Sequence, residues 1–230
     1  MKKLTLLLAA AVLGFFLFSC KGEAGPAGPT GAVEPSGWHV LNLQQGVNAY
    51  SACYDVRIWS LNPDTNYGDS VTSWVGVESG HKKRLIIEYY LSGLLPAGAV
   101  IEKTTISLKT ESTVTGGQSF SFYEISQPWY ESLQTTWNNR TTTVAWNTPG
   151  GDFTDVKASN SVKVTEQYKW YTWTVDKSLI EKKAAGGDTY GFILVADNEA
   201  LTYNAQAEFI SKEYAVIADR PVLTIYYSLP

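Results

Sequence analysis

Histidine and cysteine are scarce in this chain: His39, His81, Cys20 and Cys53 are all it has in 230 residues. That excludes the Cys/His clusters of zinc sites and any disulfide framework. It also leaves few candidates for the bases and nucleophiles of hydrolytic enzymes, and no nucleophile-elbow motif is present. Charge is sparse too, at 17% of residues, with 22 acids against 18 bases. A chain with that balance has no basic footprint, so nucleic acid is excluded as a partner. Methionine occurs once. What the chain does have is aromatic: 8 Trp, 14 Tyr and 8 Phe within an apolar fraction of 44%. Such a mixture forms a core and favours sheet over helix.

The first residues carry an address. Met1-Lys2-Lys3 precede an apolar run from Leu4 to Phe18. The run is shorter than the ~20 residues a membrane span needs and fits a signal peptide over residues 1–19. Leu17-Phe18-Ser19-Cys20 resembles the lipobox of bacterial lipoproteins. The resemblance implies cleavage before Cys20 and acylation there, hence a membrane partner reached through lipid and an exported protein on the outer membrane or cell surface. Several acyl chains anchor stably where one does not. Loss of Lys2 and Lys3 leaves 16 bases against 22 acids, a formal charge of −6. Residues 20–37 form the next segment, in which Gly22, Gly25, Gly28 and Gly31 recur every third residue with Pro26 and Pro29 between them. The pattern is collagen-like, and four triplets read as an extended spacer of ~3.1 Å per residue, on the order of 40 Å in all.

Residues 38–230 read as one all-β domain. The stretch Arg84–Thr110 organises it: two long strands joined at Pro96-Ala97-Gly98, expected to form a hairpin. The first carries apolar residues on both faces, as a strand inside a packed sheet does. Further strands are expected at Trp38–Leu43, Tyr50–Trp59, Val71–Val77, Gln118–Gln127, Lys169–Val175, Tyr190–Ala196, Ala207–Ser211 and Pro221–Ser228. One short helix is expected over Asp176–Ala185, stopped by Gly186-Gly187. About ten strands with one helix make a two-sheet antiparallel β-sandwich or jelly roll. Cys53 falls in a strand and reads as a buried thiol.

Two irregular stretches have chemistry to weigh. In Asn62–Asp69, the oxygens of Asp64, Asn66 and Asp69 are of the kind calcium takes, yet the spacing is not that of an EF-hand and self-capping of the loop is the plainer use. In Trp129–Asn139, Glu131 is either a catalytic acid or, with Thr136, a cap for backbone donors while the Trp rings pack. A glycosidase would need a facing carboxylate, and nothing singles out Asp152 or Asp155 for it.

Asn66-Tyr67-Gly68, Arg84-Leu85-Ile86-Ile87-Glu88-Tyr89-Tyr90-Leu91-Ser92, Pro96 to Ile101, Trp129-x-Glu131 with Thr136-Trp137-Asn138, and Arg220-Pro221-x-Leu223-Thr224-Ile225-Tyr226 resemble, in order and spacing, the DNRLRE domain. That β-sandwich family is related to a carbohydrate-binding module family whose studied members bind alginate, and to disaggregatase repeats. Tyr90 stands where the family carries an acid, and Glu88 where it often carries a base. The resemblance implies a non-catalytic module that binds polysaccharide. Sugar rings stack on aromatics and carboxylated sugars pair with Lys or Arg, so Lys82, Lys83 and Arg84 are the candidates for a uronate, with Tyr168 or Trp170 as the platform. A structural or adhesive module docking on an envelope protein is the alternative, and a lyase or hydrolase the third.

Overall fold

The computed structural model describes residues 37–132 and 134–230. The leader, Cys20 and the glycine-repeat spacer lie outside the described residues. Twelve strands follow in chain order: β1 (His39–Gln44), β2 (Cys53–Trp59), β3 (Thr72–Glu78), β4 (His81–Tyr89), β5 (Val100–Thr115), β6 (Ser119–Ile125), β7 (Phe153–Lys157), β8 (Val162–Lys163), β9 (Trp170–Val175), β10 (Phe192–Ala196), β11 (Ala205–Ile210) and β12 (Val222–Ser228). Helix α1 (Lys177–Ala184) sits between β9 and β10.

All pairings are antiparallel, and the strands join one continuous ladder folded into two faces. One sheet runs β1-β12-β5-β9. The other runs β11-β3-β4-β10-β6-β7, with β2 on β4 and β8 on β6. The 16-residue β5 belongs to both: residues 100–109 pair in the first sheet, and Thr110–Thr115 pair with β11 in the second. The expected sandwich is therefore present. The expected hairpin is not, because β4 and β5 do not pair. The chain between them crosses from one sheet to the other. Each strand finds partners on both edges elsewhere, which leaves no edge for the other.

Apolar alternation explains where the core lies. Leu85 and Ile87 of β4, Phe120 and Phe122 of β6, Phe192 and Leu194 of β10 and Phe209 of β11 face Ile106, Leu108, Trp173, Leu223 and Ile225 of the first sheet, all buried. Trp173 lies at the centre, 5.4 Å from Phe122 and 6.0 Å from Phe209 in near-edge contact, and its indole N–H donates to Phe120 O at 2.8 Å. A buried indole with its donor satisfied contributes its whole apolar area. Cys53 is buried there as expected, and burial raises its thiol pKa.

The other face of the second sheet is apolar as well, since Val56, Ile58, Ile86 and Ile193 point outward. They are covered by the segment 126–152, whose Trp129, Trp137 and Trp146 form a second core with them. This cover positions the site described next.

Candidate functional site

The Trp-rich cover is tied down by backbone capping. Asn66 Nδ2 donates to Glu131 O at 2.8 Å and Thr135 O at 2.7 Å, while its Oδ1 accepts from Gly68 N at 3.0 Å. A Cβ on Gly68 would lie 2.7 Å from Glu131 O, so only glycine fits against the corner. Glu131 Oε1 accepts from Asp55 N at 2.6 Å, and Thr136 Oγ1 accepts from Asn139 N at 3.0 Å. Glu131 and Thr136 are thus caps, as the sequence reading favoured. Asp152 likewise accepts from Asn147 N and Thr148 N.

In the loop considered for calcium, Asn66 Oδ1 is taken by Gly68 N and Asp64 accepts from Asn138 Nδ2 at 2.8 Å, while Asp69 is exposed. Among the described residues, the carboxylates that do converge are Asp55, Glu131 and Glu213, with ligand oxygens within 4.8 Å of one another. Lys212 already puts its ammonium there, 3.1 Å from Glu131 Oε2 and ion-paired with Glu213. Burial pushes Glu131 up to about 7 and raises Asp55 as well.

Of the expected site residues, Lys83 and Arg84 are buried rather than free for ligand. Lys83 Nζ lies 2.9 Å from Glu78 and 3.0 Å from Gln206 Oε1, between the rings of Trp59 (4.4 Å) and Trp74 (4.9 Å). Arg84 pairs with both oxygens of Glu199 at 2.8 and 2.5 Å and donates to Gly150 O at 2.6 Å. Lys82 points to the opposite side of β4 from Lys83 and stays 41% exposed, 3.7 Å from Glu199. Alternation scatters a run of three cations across two faces, which adjacency in sequence conceals. Tyr168 and Trp170 belong to the other sheet: Tyr168 is exposed just before β9, and Trp170 sits opposite Lys109 of β5. No hydrogen bond, ion pair or ring contact among the described residues links them to Lys82, Lys83 or Arg84.

An open concavity lies elsewhere, at the end of β4. A cleft of about 310 Å³ is bordered by Glu88, Tyr90, Trp129, Tyr130, Lys183 and Asp188, among others. Four pieces of chain build it. The end of β4 supplies Glu88, and the residue just past it is Tyr90, with Tyr90 N bonded to Ala52 O at 3.0 Å. The cover supplies Trp129, whose indole donates to Tyr190 O at 2.8 Å, and Tyr130. Helix α1 supplies Lys183 from its last turn. The helix starts on Asp176, whose carboxylate accepts from Ser178 N, and packs through buried Ile180. The Gly186–Tyr190 loop closes the rim, with Gly186 in the left-handed region.

Its chemistry is that of rings around a closed ion pair. Tyr90 and Tyr130 are 52% and 58% exposed. Tyr54 meets Tyr90 edge-on at 5.5 Å, holding that ring. Lys183 forms an ion pair with Glu88, donates to Thr189 O at 3.1 Å and lies 4.8 Å from the Tyr90 ring centroid. Burial raises the Glu88 carboxyl against the pull of Lys183. Sequence reasoning missed Tyr130, Lys183 and Asp188. Glu88 and Tyr90 entered the sequence reading only as departures from the DNRLRE pattern that the chain resembles, not as site residues. Comparison with the curated proteins finds none that matches the chain. The profile of Carbohydrate-binding module family 96 matches residues 49–227, which take in all strands but β1, the Trp cover and every wall of this cleft, and the chain belongs to that family.

Proposed function

We propose that this protein is a non-catalytic polysaccharide-binding lipoprotein. It is held by lipid on Cys20 at the outer membrane or cell surface, and it grips glycan in the cleft between Tyr90 and Tyr130. The observation that carries the reading is the pair of exposed tyrosine rings beside a cleft of about 310 Å³. Ligand sites begin at ~300 Å³ and combine apolar walls with a few placed polar groups. By contrast, Trp59 and Trp74 are only partly exposed and flank the buried Lys83, and Glu131 is buried and held by Lys212 and Asp55 N. The uronate reading of Lys82-Lys83-Arg84 loses its support, because two of the three charges are met inside the protein.

A glycan array probed with the full chain tests this. Tyr130→Ala is expected to weaken binding by roughly tenfold or more, the effect of truncating a central aromatic contact. Lys82→Ala is expected to leave it unchanged. A blank array, with an envelope protein co-purifying instead, would replace the glycan reading with docking. A radiolabelled fatty acid incorporated into the native chain and not into Cys20→Ala tests the anchor.

A further inference from the structure

We propose that the Tyr90–Tyr130 cleft selects an uncharged pyranose and rejects a uronate, an inference that rests on the cleft being the glycan site. The family resemblance implies the opposite, an acidic polymer. The charged side chains lining the cleft decide it. Lys183 is the one cation among them, and its ammonium is committed to Glu88 and to Thr189 O. Both partners of that pair are largely buried, with side-chain exposures of 13% and 9%. A sugar carboxylate on the remaining N–H of Lys183 lies beside the Glu88 carboxylate and meets like charge, and one that displaces Glu88 leaves it unpaired in a poorly hydrated place. A buried charge stripped of its partner is strongly unfavourable. Asp188 adds a second, exposed carboxylate at the rim. The lining therefore carries one net negative charge, and a carboxylated sugar meets like charge at Asp188.

A neutral pyranose meets no such barrier. Its C–H face lies on Tyr90 or Tyr130, and its hydroxyls both donate and accept. They can add hydrogen bonds to the outer lone pairs and protons of Glu88, Lys183 and Asp188 without breaking the pair.

The test uses the full chain on paired oligosaccharides of one linkage and stereochemistry that differ in the carboxylate, such as β-1,4-mannohexaose against the β-1,4-mannuronate hexamer, within a broader array of such pairs. The neutral members are expected to bind at least tenfold more tightly. Glu88→Gln releases Lys183 and is expected to narrow that ratio at least fivefold. Asp188→Asn, at an exposed position where folding is not at stake, is expected to narrow it about twofold to threefold. Uronates bound equally or more tightly would overturn the class assignment while leaving glycan binding intact. A ratio unmoved in both variants would overturn the role of these charges. A blank array would remove the glycan reading and this inference with it.

Discussion

Replacing Asn66 by Asp tests how the cover over the second sheet is held, and it separates a self-capped loop from a metal loop in one experiment. The native amide N–H₂ donates to two carbonyls, Glu131 O at 2.8 Å and Thr135 O at 2.7 Å. A carboxylate has the same shape and no donor. It would set oxygen against oxygen at both contacts, keeping only the bond from Gly68 N. Each hydrogen bond contributes about 1 kcal/mol net, and each half-buried carbonyl left unmet costs about 1–3 kcal/mol. The site is only half-buried, so water relieves part of this, and a loss of about 3–4 kcal/mol is expected. For a domain of this size ~1 kcal/mol moves the melting temperature by ~2–4 °C. Thermal unfolding followed by Trp fluorescence is expected to show a fall on the order of 10 °C. Asn66→Ala, which deletes the bonds without adding repulsion, is expected to lose about half as much. A calcium site predicts the reverse, since an added carboxylate strengthens it. If Asn66→Asp melts within 2 °C of the native protein, or calcium raises its melting point well above that in EDTA, the capping argument is wrong.

Gly76→Ala is expected to cost ~3 kcal/mol or more, because the added Cβ would lie 2.3 Å from Ala205 O at a φ of +129°; denaturant unfolding measures it. Lys83→Met is expected to lower the melting temperature, through the unpaired Glu78, while glycan affinity stays at the native level in titration calorimetry. Glu131 sits at about 7 in the fold, above the usual ~4.3 of a free glutamate. Folding therefore favours its protonated form, and the stability it contributes is complete below pH ~4.3 and lost as pH rises through 7. The raised Asp55 carboxyl has the same sign. Melting temperature is expected to decline between pH 5 and 8, and Glu131→Gln to flatten that slope; a rising slope would refute the assignment.

The strands were legible because alternation and turn chemistry are local. β4 shows why one residue class can be read twice: Leu85 and Ile87 fill the main core while Ile86 fills the second, as a two-faced apolar run predicts. Helix α1 begins on its Asp cap and ends at the Gly pair where composition placed it. Pairing was not legible. Arg84–Thr110 has the turn signals of a hairpin, and nothing local records that β4 and β5 each take other partners. The site was hidden for the same reason. Lys82, Lys83 and Arg84 are neighbours in the chain and alternate in space, whereas Glu88, Tyr130 and Lys183 lie far apart in the chain and share one cleft.

From residue order and type alone come the all-β class, the approximate places of most strands, the buried thiol and the caps at Glu131 and Thr136, since each depends on a residue and its near neighbours. Which cations remain free and which rings remain bare was settled only by tertiary packing. Charges are neutralised by partners distant in the chain, Arg84 by Glu199 and Glu88 by Lys183, and Lys83 takes its second partner from Gln206 on β11.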